Sequence, residues 1–435
     1  MMRIFILSFL ICLFQFQSVT AEKAPSINEK PNITNNEFNS SQKKQLKEAQ
    51  EYISEGYYEH ALEILLKLEK EIKNPNINYH IGICYVNVSV NQDIAIDYLS
   101  RASEGINPEA NGSYKEVEAP IETYFFLGKA YHLSNNYDMA ISFFEKYKEN
   151  LNSEQTQERK SAEHHIKMCE TAKEMIKNPQ DVEPQTLGTD INTKACEFPI
   201  AYIAEENLIV YSSVKRNNVK NSTNQQNIYI AKYNQETGSW DEPLKYSEQT
   251  AKLKANQQSQ NEFFFSKKGN IYSTKYIEGN WTEPQKLDKN INSKNNEIQA
   301  CLSPTGTRLY FVSDREGGFG GYDIWYCEKF GDKWGPAINA GSEVNTEFDE
   351  ISPYIASDGI SLYFSSNGHN SMGGFDVFIS ILFDGFWTDA ENLGYPLNTS
   401  EDDVFYIIST DEKSAYYSST KENAVGKKDI YFIRY

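Results

Sequence analysis

Basic residues are scarce in this chain: 42 Lys and Arg stand against 61 Asp and Glu, a formal net charge of −19. A surface of that sign repels phosphate backbones and anionic lipid, so nucleic acid is not expected as a partner. Cysteine is scarcer still. The six present are widely spaced and include no CxxC, so neither a zinc site nor a disulfide framework is signalled. Cys84, Cys169, Cys196, Cys301 and Cys327 read mainly as small buried apolar residues. The six histidines contain no HExxH, and neither a GxSxG elbow nor a Walker loop occurs. No apolar run after the first residues has the length to span a membrane. The composition therefore points to no catalytic residue, no metal and no cofactor.

What is present begins with an export signal. Arg3 is the sole charge before an apolar run from Ile4 to Phe14, and Val19-Thr20-Ala21 offers small residues for cleavage. Residues 1–21 are read as a signal peptide, which places the protein in the periplasm or at the cell surface. Residues 22–40 are polar and read as a flexible leader. Aromatics make up 13% of the chain, with 29 Tyr and 24 Phe, which favours a folded, strand-rich protein over an acidic disordered one. The remaining length calls for at least two domains.

From Gln45 the apolar residues adopt a helical period and a repeat emerges. "QLKEAQEYISEGYYEHALEILLKL", "YHIGICYVNVSVNQDIAIDYLSRA" and "IETYFFLGKAYHLSNNYDMAISFFEKY" carry Ala61, Ala95 and Ala140 at matching offsets. Ala61 and Ala95 are 34 residues apart, while Ala95 and Ala140 are 45 apart, so about eleven residues are inserted, within "EGINPEANGSYKEV". The three units resemble the tetratricopeptide repeat. Residues 41–178 are thus expected to form an α-solenoid, ending in a polar capping helix over Ser153–Lys177 with His164 and His165 on its solvated face. By that resemblance, Asn76, Tyr79, Phe125, Lys129 and His132 line a groove that engages a partner. Lys129 and His132, three apart on one helix face, are the foremost of these.

After "NPQDVEPQ" the pattern turns to short aromatic and β-branched runs between Gly, Asn, Asp and Ser, which signals strands. A polar residue followed by a β-branched and an aromatic one recurs at Asn227, Asn270, Asp323, Asp376 and Asp429, at intervals of 43, 53, 53 and 53 residues. These positions are read as structural. The glycines of "SDREGGFGGYDI" lie between two such strands rather than before a helix, so they belong to a turn with positive φ, closed by Asp323, and not to a phosphate loop. The last unit stops without its outer strand, and the segment 183–195 parallels the missing piece. Residues 183–435 are therefore expected to form a β-propeller closed by that segment. Five blades follow by count, and a sixth would need a unit the spacing does not supply.

"SPTGTRLYFVSDREGGFGGYDIW" and "ASDGISLYFSSNGHNSMGGFDVF" resemble the WD-repeat-like propeller repeat of the TolB type. Joined to tetratricopeptide units, the whole is similar to envelope proteins of Bacteroidetes-like bacteria, often associated with an OmpA-like domain that this sequence does not carry. The fold class expected is therefore a multidomain α + β chain, a helical solenoid followed by an all-β propeller. The resemblance implies a non-catalytic exported scaffold or adaptor for envelope or secreted proteins, associated with an outer-membrane complex. The competing reading is a propeller-based hydrolase or a binding protein for carbohydrate or peptide.

Overall fold

The computed structural model describes residues 38–88, 92–203, 207–215, 225–245, 262–277, 280–409, 411–421 and 424–435. The signal peptide read over residues 1–21, and the leader up to residue 37, lie outside the described residues.

Among the described residues seven helices come first: α1 (Ser40–Ser54), α2 (Tyr58–Glu71), α3 (Pro75–Val88), α4 (Asp93–Ser103), α5 (Glu122–Leu133), α6 (Tyr137–Asn150) and α7 (Thr156–Lys177). Each packs on the next in sequence. The repeated alanines explain how: Ala61, Ala95 and Ala140 are fully buried, and a methyl group at the contact lets two helix axes approach closely. Asn39 starts α1 with a capping box, its side chain accepting from Gln42 N while Gln42 reaches back to Asn39 N. The inserted stretch between α4 and α5 is ordered. Its Gly112 carbonyl meets His80 Nε2 at 2.8 Å and accepts from Gln50 Nε2 at 2.6 Å, which ties the insertion to α1 and α3.

The remainder is a five-blade β-propeller. The first described strands of blades 1 to 5 begin at Cys196, Glu262, Glu297, Glu350 and Asp403. The first strands of blades 3, 4, 5 and 1 touch one another in turn, so they form the inner wall of the ring. In blades 3, 4 and 5 the central hairpin keeps one register, with Ser313 opposite Asp323, Ser366 opposite Asp376 and Ser419 opposite Asp429. The outer strand of blade 5 comes from the front of the domain: Gln185 and Thr186 pair antiparallel with Phe432 and Tyr431. That strand covers the outer side of the last strand of blade 5 at Tyr431 and Phe432.

Among the described residues, a polar joint welds blade 5 to blade 1, blade 2 to 3, blade 3 to 4 and blade 4 to 5. Asn192, Asn292, Asn345 and Asn398 each clamp one residue of the preceding blade's third strand: Ile430, Ile271, Ile324 and Val377 donate N–H to the amide oxygen, and their carbonyls accept from the amide nitrogen, at 2.6–3.0 Å. Five residues further on sits a fully buried carboxylate, Glu197, Glu297, Glu350 or Asp403. Glu350 accepts from Thr346 N and Oγ1 at 2.9 and 2.7 Å and from Ser366 Oγ at 2.7 Å. Burial pushes its carboxyl up to about 7 against the pull of those donors.

Removing the acceptor strands three donors in the interior. Glu350→Ala is expected to cost about 3 kcal/mol in urea unfolding, against under about 0.5 kcal/mol for Glu236→Ala on the exposed turn of blade 1. Equal costs for the two would remove Glu350 from any role in joining blades.

Candidate functional site at the helix–propeller seam

The loops that join the second and third strands of a blade carry the glycines noticed in the sequence. In blade 3, Asp323 accepts from Phe319 N at 2.7 Å and Gly320 N at 3.0 Å, and in blade 5 Asp429 accepts from Val425 N and Gly426 N at 2.6 and 2.9 Å. In blade 4, Asp376 accepts from Met372 N at 2.7 Å. The carboxylate thus gathers the backbone of its own loop and fixes which residue stands at the tip. Of the four glycines at issue in blade 3, only Gly317 has positive φ, at +94°. Gly320 is needed for a different reason: a Cβ there would lie 1.9 Å from the Phe348 carbonyl oxygen of the next blade. Positive φ was the reason expected for these glycines, and at Gly320 close backbone approach between blades replaces it.

Position four before the aspartate is apolar on all three blades: Phe319, Met372 and Val425. Met372 is fully buried, inserted among Tyr137, Phe144, Ile166, Cys169 and Ala172 of the helical layer. Its carbonyl oxygen lies 2.8 Å from His132 Nε2. Beside it Tyr137 and Ser400 share a hydroxyl contact at 2.8 Å, and Ser400 Oγ donates to Asn135 Oδ1 at 2.9 Å. On α7, His164 stacks on Phe348 with centroids 4.0 Å apart and its Nε2 lies 2.9 Å from the Asn367 carbonyl oxygen. Lys427 of blade 5 pairs with Glu59 of α2 at 2.6 Å. These contacts tie the helices to blades 4 and 5 and to the approach to blade 4.

The five groove residues all meet other parts of this chain. Asn76 is fully buried, and its Nδ2 donates to the Ser113 and Glu116 carbonyls of the inserted stretch at 2.8 Å. Tyr79 is buried beside Gly112 and packs edge-on to Phe126. Phe125 sits among Phe126, Phe144, Tyr147 and His165. Lys129 lies half-buried in the field of Asp402 and Glu401, and burial lowers its ammonium pKa against their attraction. His132 belongs to the seam. The structure therefore brings Lys129 and His132 together with the propeller, and keeps Asn76 and Tyr79 apart from them under the insertion. The solvated face expected for His164 and His165 is corrected: one stacks on Phe348 and the other lies between Phe125 and Phe144. Helical period fixes which residues share a face but not what covers it.

The structural positions divide. Asp323, Asp376 and Asp429 are buried and hold their loops, whereas Asn270 is part-exposed and its Nδ2 donates to Lys268 O at 3.0 Å in a shorter turn. Asn227 pairs across the hairpin with Ser213. Sequence reading missed the buried carboxylates of the blade joints. Their signal was present as Asn-Ser/Thr with Glu or Asp four residues after the Ser or Thr, at residues 192–197, 292–297, 345–350 and 398–403.

Among the described residues no group of three or more His, Cys, Asp or Glu is placed to hold a metal ion, and no helix is long and apolar enough to cross a membrane. Of the described cysteines, Cys84, Cys169 and Cys327 are free and buried. No family model matches the chain, and no curated protein matches it. Solved structures similar to part of it include an α-L-arabinofuranosidase from Podospora anserina in complex with cellotriose, at TM-score 0.34 and 12% identity over 57% of this chain and 92% of that one. An α-L-arabinofuranosidase from Lactobacillus brevis gives 0.32 and 9% over 57% and 91%. A putative 6-phosphogluconolactonase from Bacteroides uniformis gives 0.28 and 12% over 51% and 64%. Likenesses of this size carry no argument about activity.

Burial pushes the His132 imidazole down to about 4 from an ordinary 6.5, so it is neutral in the seam. Between those values the unfolded chain takes up a proton that the folded chain refuses, so the stability His132 contributes is full above pH 6.5 and lost on acidification towards 4. The advantage of the natural chain over His132→Gln, measured by urea unfolding, is expected to shrink by roughly 2 kcal/mol between about pH 7.5 and about pH 4.5. An advantage that does not change with pH would contradict a neutral, buried imidazole.

Proposed function

We propose that the chain is a non-catalytic exported adaptor of the cell envelope, in which a tetratricopeptide-like helical stack and a TolB-type propeller together hold other envelope or secreted proteins. The observation that carries this reading is the apolar loop position repeated on three blades. Met372 is consumed by the helical layer, while Phe319 and Val425, held in the same way by their aspartates, are 53% and 42% exposed. A position that seats helices on blade 4 is thereby offered on both flanking blades. Phe319 also adjoins the seam, because Gly320 packs on Phe348, the residue on which His164 stacks. The buried carboxylates support the same reading, since Glu197, Glu297 and Glu350 spend their oxygens on Ser and Thr donors of the blade joints.

The competing reading is a hydrolase or a binding protein for carbohydrate or peptide. Its binding half gains support from a cleft elsewhere on the propeller, described below.

Affinity capture from envelope extract, with the full chain as bait, tests the adaptor reading. A defined protein is expected with the natural chain and is expected to fall at least about fivefold with Phe319→Asp, whose exposed position leaves folding intact. Recovery of nothing above background, or equal recovery by the variant, would overturn it.

A further inference from the structure

The strand Asp323–Phe330 starts beside the glycine loop and runs eight residues, so Phe330 stands about 25 Å away at the rim opposite the helices. There the surface changes character. Phe330 is 65% exposed, and Phe383 and Phe386 of blade 4 are each 77% exposed on either side of the turn Asp384-Gly385. Apolar rings left this exposed gain little from burial within the fold, and their concentration at one rim marks a contact surface.

Between Phe330 and Phe386 lies a cleft in two adjoining parts, of about 460 and about 230 Å³, which share Arg308 and Leu382. Blade 3 supplies Arg308, Tyr326 and Glu328, and blade 4 supplies Asp358, Phe386 and Trp387. Arg308 is held rigidly: Nη2 donates to Glu328 Oε1 at 2.8 Å, Nη1 to Tyr310 OH at 3.3 Å, and the guanidinium lies over the Tyr326 ring at 4.6 Å. The larger part falls in the volume range of small-ligand sites.

We propose that this cleft between blades 3 and 4 binds a neutral oligosaccharide. The lining chooses the class. Arg308 is paired with Glu328, and Lys329, Glu343 and Asp358 also line the cleft, so its charges are of mixed sign and the floor offers fixed donors and acceptors without a single-sign field for an ion. Ser303, Thr305 and Thr307 add hydroxyls along one wall. Flat aromatic faces at the rim beside a polar floor suit a sugar ring, which presents C–H on its faces and hydroxyls at its edge. An extended peptide is disfavoured because the outermost strands of both blades are only two residues long, Lys333–Trp334 and Ile338–Asn339 in blade 3, Phe386–Trp387 and Glu391–Asn392 in blade 4, too short to template a further strand. An amphipathic helix needs an apolar trough, and here the floor is an ion pair. The site is independent of the adaptor reading and lies on the rim away from Phe319, so either can fail without the other.

Trp387 lies beneath the cleft and reports on it. The full chain is titrated with cellohexaose, xylohexaose, maltohexaose and mannohexaose, following tryptophan fluorescence and heat, with Trp387→Phe to assign the optical signal. At least one of these is expected to bind below about 1 mM, with affinity falling at least about tenfold in Phe386→Ala and in Arg308→Gln and unchanged in Phe319→Asp. Phe386 is exposed, so its replacement leaves the fold unchanged by circular dichroism, and a loss in that variant reports the site. Failure of every oligosaccharide to bind at about 10 mM would overturn the proposal. So would binding that neither cleft variant weakens, or saturable binding of unstructured peptides at the cleft in place of sugars.

Discussion

The placing of one propeller blade against the next depends on the joint between them. An asparagine clamps the main chain of the preceding blade, and five residues later a buried carboxylate gathers the turn and the serine of its own second strand. The carboxylate alone would be costly to bury. Surrounded by two Thr donors and a Ser donor, it makes the corner between blades a fixed angle, because a half-satisfied network of this kind would be worse than an apolar one. Blade 3 adds Arg315, whose guanidinium reaches Glu297 at 3.1 Å and also donates to the Asn290 carbonyl. The same place in blade 4 is taken by His369, whose Nε2 lies 2.9 Å from Val344 O.

Fixed corners put the strand-connecting loops on one rim at constant height, and the aspartates within those loops hold their apolar tips outward. The helical layer uses one tip, Met372, and surrounds it with side chains from α6 and α7. Polar contacts on either side, from His132, Tyr137 and His164, satisfy loop carbonyls and hydroxyls that would otherwise face water. The helices are therefore seated by the same device that shapes the blades. The opposite rim has different chemistry, with exposed aromatics around an ion pair.

Much of the fold was legible because it is periodic. The interval of 53 residues between Asp323, Asp376 and Asp429 reports the length of one blade, and the alternation around those positions gives strands whose register the structure repeats. The five blades and the run of helices follow from such local patterns. What did not follow is contact between units distant in sequence. Gly320 is required by a carbonyl of the next blade, and His132 by a loop carbonyl some 240 residues away. Neither partner leaves a mark next to the residue it constrains. The buried carboxylates were missed for a related reason: a lone Glu or Asp in a strand reads as solvated, and only its fixed distance from Asn-Ser or Asn-Thr reveals the joint.

The central claim is that the helical layer is seated on the propeller through the loop tip at Met372. Scanning calorimetry of the full chain and of Met372→Asp tests it most directly. A charge at a fully buried position within the seam should uncouple the two parts, so a single cooperative transition in the natural chain is expected to split into two in the variant, with the helical part melting first. Two transitions in the natural chain, unmoved by the substitution, would contradict it.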